Sequence, residues 1–162
     1  MFVYKKPEFS FNINFVNVSW DFSVYDNSTK DHPVEVIPQL SGVFMKDLTN
    51  VMAFIKMTNL KPREVYFRNT LNLCTLTKKP PGGIVLKAVI ENLQKVANFK
   101  FECPFQKGLN FKINEITTKN IFFSMILPPN IERSFSMVLK EGNKATLFVS
   151  LVIYYMRVEI DD

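Results

Sequence analysis

Phe9-Ser10-Phe11-Asn12-Ile13-Asn14-Phe15 decides the class of this chain, because large apolar side chains stand at every second position with small polar ones between them. Successive side chains of a strand point to opposite faces, so this spacing puts four apolar groups on one face; a helix would need a repeat of 3.6. Leu109, Phe111 and Ile113 alternate with Asn110, Lys112 and Asn114 in the same way. Both stretches read as half-buried antiparallel strands. Further strands are expected at 19–25, 34–37, 43–46, 51–57, 64–68, 121–126, 133–140 and 145–159. Turn-forming residues separate them, as in Asp26-Asn27-Ser28, Pro128-Pro129-Asn130 and Glu141-Gly142-Asn143-Lys144. The last of these joins 133–140 to 145–159 as a hairpin. From Phe148 to Tyr155 the returning strand is apolar on both faces apart from Ser150. It is therefore either a central strand covered on both sides or an exposed dimer face.

One segment breaks the period of two. Over 84–97, Val85, Val89, Leu93 and Val96 form a stripe while Lys87, Glu91, Gln94 and Lys95 fall elsewhere, which predicts an amphipathic helix of about four turns. Lys79-Pro80-Pro81-Gly82-Gly83 precedes it, prolines ending the previous strand and glycines letting the chain turn. A single helix makes no bundle, so it must pack on a sheet edge or across the mouth of a sandwich.

A chain of 162 residues is about one domain, and no linker, repeat or charge block divides it, so 1–162 is read as a single domain. Its composition, 47% apolar with 16 Phe and 7 Met, is that of a globular protein with a large, soft-sided interior. No stretch reaches the roughly 18 uninterrupted apolar residues of a membrane-spanning helix. The net charge of +5 permits transient contact with an anionic membrane surface. Nucleic acid is not expected as a partner: the only adjacent basic pairs, Lys5-Lys6 and Lys78-Lys79, lack the interleaved aromatics and glycines of an RNA-reading sheet.

No enzyme, metal or cofactor is expected. There is no nucleophile elbow, phosphate loop, zinc-protease helix or dinucleotide fingerprint, and the lone His32 sits in a turn-like Asp31-His32-Pro33 setting. Two cysteines and one histidine do not make up a tetrahedral zinc site. Cys74 and Cys103 lie 29 positions apart and bracket the helix. They are either a disulfide, which would remove roughly 3–4 kcal/mol of unfolded-state entropy, or two idle thiols. Asn17-Val18-Ser19 and Asn27-Ser28-Thr29 are glycosylation sequons, Asn17 and Asn27 being the acceptors, though a chain this rich in Asn, Ser and Thr carries about that many by chance.

Asn72-Leu73-Cys74, the amphipathic helix ending in Val96-Ala97-Asn98, and Cys103-Pro104-Phe105-Gln106-Lys107-Gly108 before an alternating strand together resemble a group of insect proteins. These are secreted domains related to the CheB chemosensory proteins, distantly similar to the ganglioside-activator and ML lipid-recognition proteins. The resemblance runs over roughly 65–160, and the Cys-Pro-aromatic-x-x-Gly run is its most specific part. It implies an immunoglobulin-like antiparallel β-sandwich whose sheets part at one end, a Cys74–Cys103 disulfide, secretion, and non-catalytic binding of a lipid or other hydrophobic ligand, with a chemosensory or lipid-presenting role and a possible receptor. Relatives carry a secretory signal and further N-terminal cysteines, which Met1-Phe2-Val3-Tyr4-Lys5-Lys6 does not match. The expected pocket is lined by Phe44, Phe54, Phe67, Leu93, Phe111, Phe123, Phe135, Leu139 and Phe148, and Lys78 and Lys79 stand where an anionic head group would meet them. The rival is a protein–protein interaction sandwich with a filled core and no ligand.

Overall fold

The computed structural model describes residues 2–4, 7–26, 36–76, 84–117, 128–142 and 146–157. In chain order the strands are β1 (Phe2–Tyr4), β2 (Glu8–Phe11), β3 (Val16–Trp20), β4 (Val36–Ile37), β5 (Leu40–Phe44), β6 (Val51–Leu60), β7 (Arg63–Asn72), β8 (Asn110–Ile113), β9 (Ile116–Thr117), β10 (Glu132–Glu141) and β11 (Thr146–Arg157), with helix α1 (Ile84–Val96) between β7 and β8. Every strand pair is antiparallel. The larger sheet runs β1-β11-β10-β6-β7, with β2 also paired to β11; the smaller is β3-β5-β8, and β4-β9 forms a short ribbon. Buried side chains from both sheets meet in common clusters: Phe15, Val16, Phe44 and Phe111 from the smaller side pack with Val51, Phe148 and Val149 from the larger. This is the mainly β sandwich with one helix that the period-two pattern leads one to expect.

The strand 148–155 lies inside its sheet, with β10 on one edge and β1 and β2 on the other; its inward face is buried and its outward Ser150, Val152 and Tyr154 are half-buried. The opening alternation is cut in two. The strand stops at Phe11, and residues 12–15 turn, with the Phe15 amide donating to the Asn12 carbonyl (3.0 Å) and the Asn14 amide to Asn12 Oδ1 (3.0 Å). An asparagine side chain that bonds the backbone two residues on is a built-in turn former. So Phe9 and Phe11 belong to the larger sheet, Phe15 leads into the smaller, and Ile13 is left 56% exposed. The strand expected at 19–25 ends at Trp20: Asp21 Oδ1 accepts from the Ser23 amide (2.9 Å), starting a 3-10 turn over Ser23–Tyr25. That bond lowers the Asp21 carboxyl below its ordinary pKa. The expected strand at 121–126 lies outside the described residues.

Helix α1 ends one residue before its expected limit, and its C-terminus is tied to β8. The Asn98 amide donates to the Lys112 carbonyl (2.9 Å), the Asn114 amide to the Val96 carbonyl (3.0 Å), and Asn98 Oδ1 accepts from the Lys112 amide (2.7 Å). Gln94 fixes the next loop by donating to the Phe99 carbonyl (2.6 Å) and accepting from the Phe101 amide (3.0 Å). The helix thus sits on the sheet-edge side of the sandwich with Ile90 and Leu93, three residues apart on one face, turned to the interior.

Candidate functional site

Between the sheets lies a cavity of about 320 Å³ whose lining side chains are almost wholly apolar. Its floor is the inward face of the larger sheet, which register divides into rungs. Ile153, Phe135, Met57 and Phe67 form one; Leu151, Met137 and Ile55 the next; Val149, Leu139, Ala53 and Leu71 the third. Val16, Val18 and Trp20 of β3 with Leu40 of β5 make the opposite wall, and Ile90 and Leu93 of α1 one side. The one polar group of Trp20 is satisfied, its indole N–H donating to the Pro38 carbonyl (3.1 Å), so the ring offers the cavity only apolar surface.

An aromatic plug seals the end where β6 begins. Phe44 stacks on Phe105 with centroids 5.2 Å apart, Phe111 lies 4.9 Å from Phe44, and Phe15 stacks on Phe148 at 5.6 Å. Gly42 makes room for it: a Cβ there would overlap the Phe111 ring and come within 2.5 Å of the Asn17 carbonyl oxygen. Phe148 reaches the plug through a β-bulge. Val149 pairs with Leu139 and Leu147 with Lys140, so Phe148 is the extra residue and both it and Val149 turn inward. Lys46 Nζ sits 3.9 Å from the centre of the Phe15 ring on the outer side.

Cys74 and Cys103 form a disulfide with Cα atoms 4.6 Å apart. It fastens the exit of β7 to the segment that delivers Phe105, whose backbone exchanges two hydrogen bonds of 2.9 Å with the fully buried Leu48. Gly108 follows at φ +86°, a left-handed conformation that glycine adopts without steric cost, and its amide donates to the Phe44 carbonyl (2.8 Å).

Of the residues singled out in the sequence, Phe44, Phe67, Leu93, Phe111, Phe135, Leu139 and Phe148 surround the cavity. Phe54 does not. It is 38% exposed on the outer face with Lys140 Nζ 5.0 Å from its ring, because the inward parity of β6 runs Val51, Ala53, Ile55 and Met57. Phe123, Lys78, Lys79, His32 and Asn27 lie outside the described residues; Asn17 is exposed on β3. The sequence reading missed Ala53, Met57, Met137, Trp20 and Ile90 as lining. Lys56 was the available signal, since a lysine two positions from Phe54 marks their shared face as the solvated one.

No cluster able to hold a metal occurs among the described residues, and none of their helices is long and apolar enough to cross a membrane. Burial pushes the Tyr25 hydroxyl up to about 12, so it is neutral at physiological pH. No protein-family model matches the chain, and no curated protein is similar to it in sequence. Among solved structures it is similar to chicken MD-1 complexed with lipid IVa, at 10% identity over 97% of each chain with a TM-score of 0.40. It is also similar to a Niemann-Pick type C2 protein from Japanese carpenter ant, at 15% identity over 97% of this chain and 93% of that one with a TM-score of 0.42.

Proposed function

We propose that this chain is a non-enzymatic, single-domain binding protein for a lipid or another hydrophobic small molecule held between its sheets. The observation that carries this reading is the cavity itself, about 320 Å³ with an apolar lining, a size and character typical of small-molecule sites. A filled core would have favoured the interaction-protein alternative. Each CH2 moved from water into such a lining contributes roughly 0.8 kcal/mol, so an acyl chain needs no strong polar contact to bind.

Secretion goes with this reading, supported by the Cys74–Cys103 disulfide, which persists in oxidising compartments, and by the exposed Asn17 of a sequon as a glycan acceptor. A chemosensory role, with a receptor as partner, is the finer proposal; it rests on the resemblance of the Cys103–Gly108 run and the helix before it to the CheB-related domains. Native mass spectrometry of protein made with a secretory leader in insect cells tests the lipid reading. Copurifying lipid-sized adducts are expected, and a clean apo mass after challenge with lipids would sink it.

A further inference from the structure

The outward face of the larger sheet carries apolar and basic side chains together. With Val51, Ala53, Ile55 and Met57 of β6 turned inward, Met52, Phe54 and Lys56 point out. Register sets Leu147, Lys140 and Met52 in one outward rung, Val138 and Phe54 in the next, and Lys56 and Arg68 in the third. Phe54 is 38% exposed and Leu147 46%, on a face that antiparallel sheets ordinarily give polar side chains. Lys140 Nζ lies 5.0 Å from the centre of the Phe54 ring, so a cation already stands over the exposed aromatic.

Lys56 and Arg68 are directly opposed across β6 and β7. Like charges in that position destabilise a sheet, and neither side chain makes a hydrogen bond or ion pair among the described residues. The carboxylates that register places on the same face are remote. Glu8 stands three strands from Lys56, through Val152 and Ser136, about 14 Å at the usual strand spacing. Glu132 stands four residues along β10 from Ser136, the partner of Lys56, about 13 Å. Both distances exceed the screening length of about 8 Å at physiological ionic strength. Exposed apolar side chains are thus ringed by cations with no countercharge in the fold.

We propose that this face docks on an anionic lipid surface, with Phe54 and Leu147 entering the head-group layer and Lys56, Arg68 and Lys140 meeting its phosphates. Long basic side chains keep their charged ends in the polar layer while the apolar groups between them sit deeper. The cations are spread around the apolar side chains rather than gathered at one point, so the partner must offer negative charge over a broad area and accept apolar groups within it. A fluid anionic bilayer does both. The face lies on the side of the sheet away from the cavity, so the inference goes beyond the lipid-binding reading and does not depend on it.

The test is cosedimentation with phosphatidylcholine vesicles, with and without about one part in three of phosphatidylserine. The unmodified protein is expected to bind the phosphatidylserine vesicles, more weakly as salt is raised, and not the neutral ones. Lys56→Gln with Arg68→Gln should weaken that binding about thirtyfold, at about fivefold for each charge, and Phe54→Ser roughly fivefold. Lys107→Gln with Lys112→Gln removes the same charge from exposed positions at the smaller sheet and should cost less than about threefold. Equal losses in the two double variants overturn the face, as does equal binding to neutral and anionic vesicles or binding to neither. Binding of poly-glutamate without vesicle binding overturns it in favour of an acidic protein partner. Removing the Lys56–Arg68 repulsion should leave Tm unchanged or raise it, which separates lost docking from lost folding. Lys56→Arg with Arg68→Lys keeps both charges and should keep vesicle binding; its loss there also overturns the proposal. Each of these failures leaves the cavity reading standing.

Discussion

Replacing Ala53 by leucine should stabilise the protein and weaken its grip on ligand. Ala53 is 1% exposed at the centre of the floor, between its cross-strand neighbours Leu139 and Leu71, and its methyl is the smallest side chain on the inward face of β6. Leucine adds three carbons to space that protein side chains do not fill. At about 0.8 kcal/mol per buried CH2 the gain is about 2.4 kcal/mol, and the rotamer freedom lost by a buried leucine, about 0.5–1 kcal/mol, brings it to roughly 1.5–2 kcal/mol. For a domain of this size that raises Tm by several degrees. The same three carbons are denied to a ligand, whose affinity should fall at least tenfold. Urea unfolding of the ligand-stripped variant gives the first quantity and titration with a fluorescent acyl probe the second. Destabilisation by more than about 1 kcal/mol would show that the interior around residue 53 is already close-packed, and the cavity reading would fail with it.

Replacing both Cys74 and Cys103 by serine should cost roughly 3–4 kcal/mol in urea unfolding, because the crosslink closes a 29-residue separation; a cost below about 1 kcal/mol refutes the staple. Phe54→Ser should leave acyl-probe affinity unchanged and cost about 1 kcal/mol or less, the worth of an exposed ring under Lys140, whereas a large loss of affinity would return Phe54 to the cavity. Tyr25 makes stability fall at high pH. Its folded-state pKa of about 12 stands above the unfolded value of 10, so the folded chain keeps a proton that the unfolded chain sheds. The contribution is complete below pH 10 and lost as pH rises toward 12, amounting to about 2–3 kcal/mol, and Tyr25→Phe should flatten unfolding free energy over that window.

Period two read the strands well where one face is polar, as in β8 and β10, because there the pattern itself assigns the faces. It failed where a side chain makes its own turn, as Asn12 and Asp21 do, since a hydrogen bond to the backbone two residues on overrides an alternation that would otherwise continue. In Val51-Met52-Ala53-Phe54-Ile55 both faces are apolar, and choosing the larger ring over the smaller methyl picked the wrong face. The Cys-Pro-aromatic-x-x-Gly run carries a physical meaning that composition alone could not supply. Its cysteine fastens the segment to β7, its Phe105 fills the plug, and its Gly108 supplies the left-handed turn into β8.

The cavity arises from where the phenylalanines are, not from how many there are. Sixteen Phe in this chain would suggest a core packed solid. Among the described residues the rings instead gather in the plug, where Phe15 meets Phe148 and Phe44, Phe99, Phe105 and Phe111 contact one another, in the rung of Phe67 and Phe135, and in a cluster of Phe9, Phe11, Trp20 and Phe22 beside β2. The two rungs between the plug and the Phe67–Phe135 rung carry Leu151, Met137 and Ile55, then Val149, Leu139, Ala53 and Leu71, and meet aromatics only at their β2 edge, where Phe9 pairs with Leu151 and Phe11 with Val149. Rings at both ends hold the sheets apart at a spacing that the shorter aliphatic side chains between them do not fill. A sandwich propped in this way keeps a cavity along its strands, bounded at one end by the plug and at the other by the rung of Phe67 and Phe135, so the same distribution of side chains that stabilises the two ends shapes the site between them.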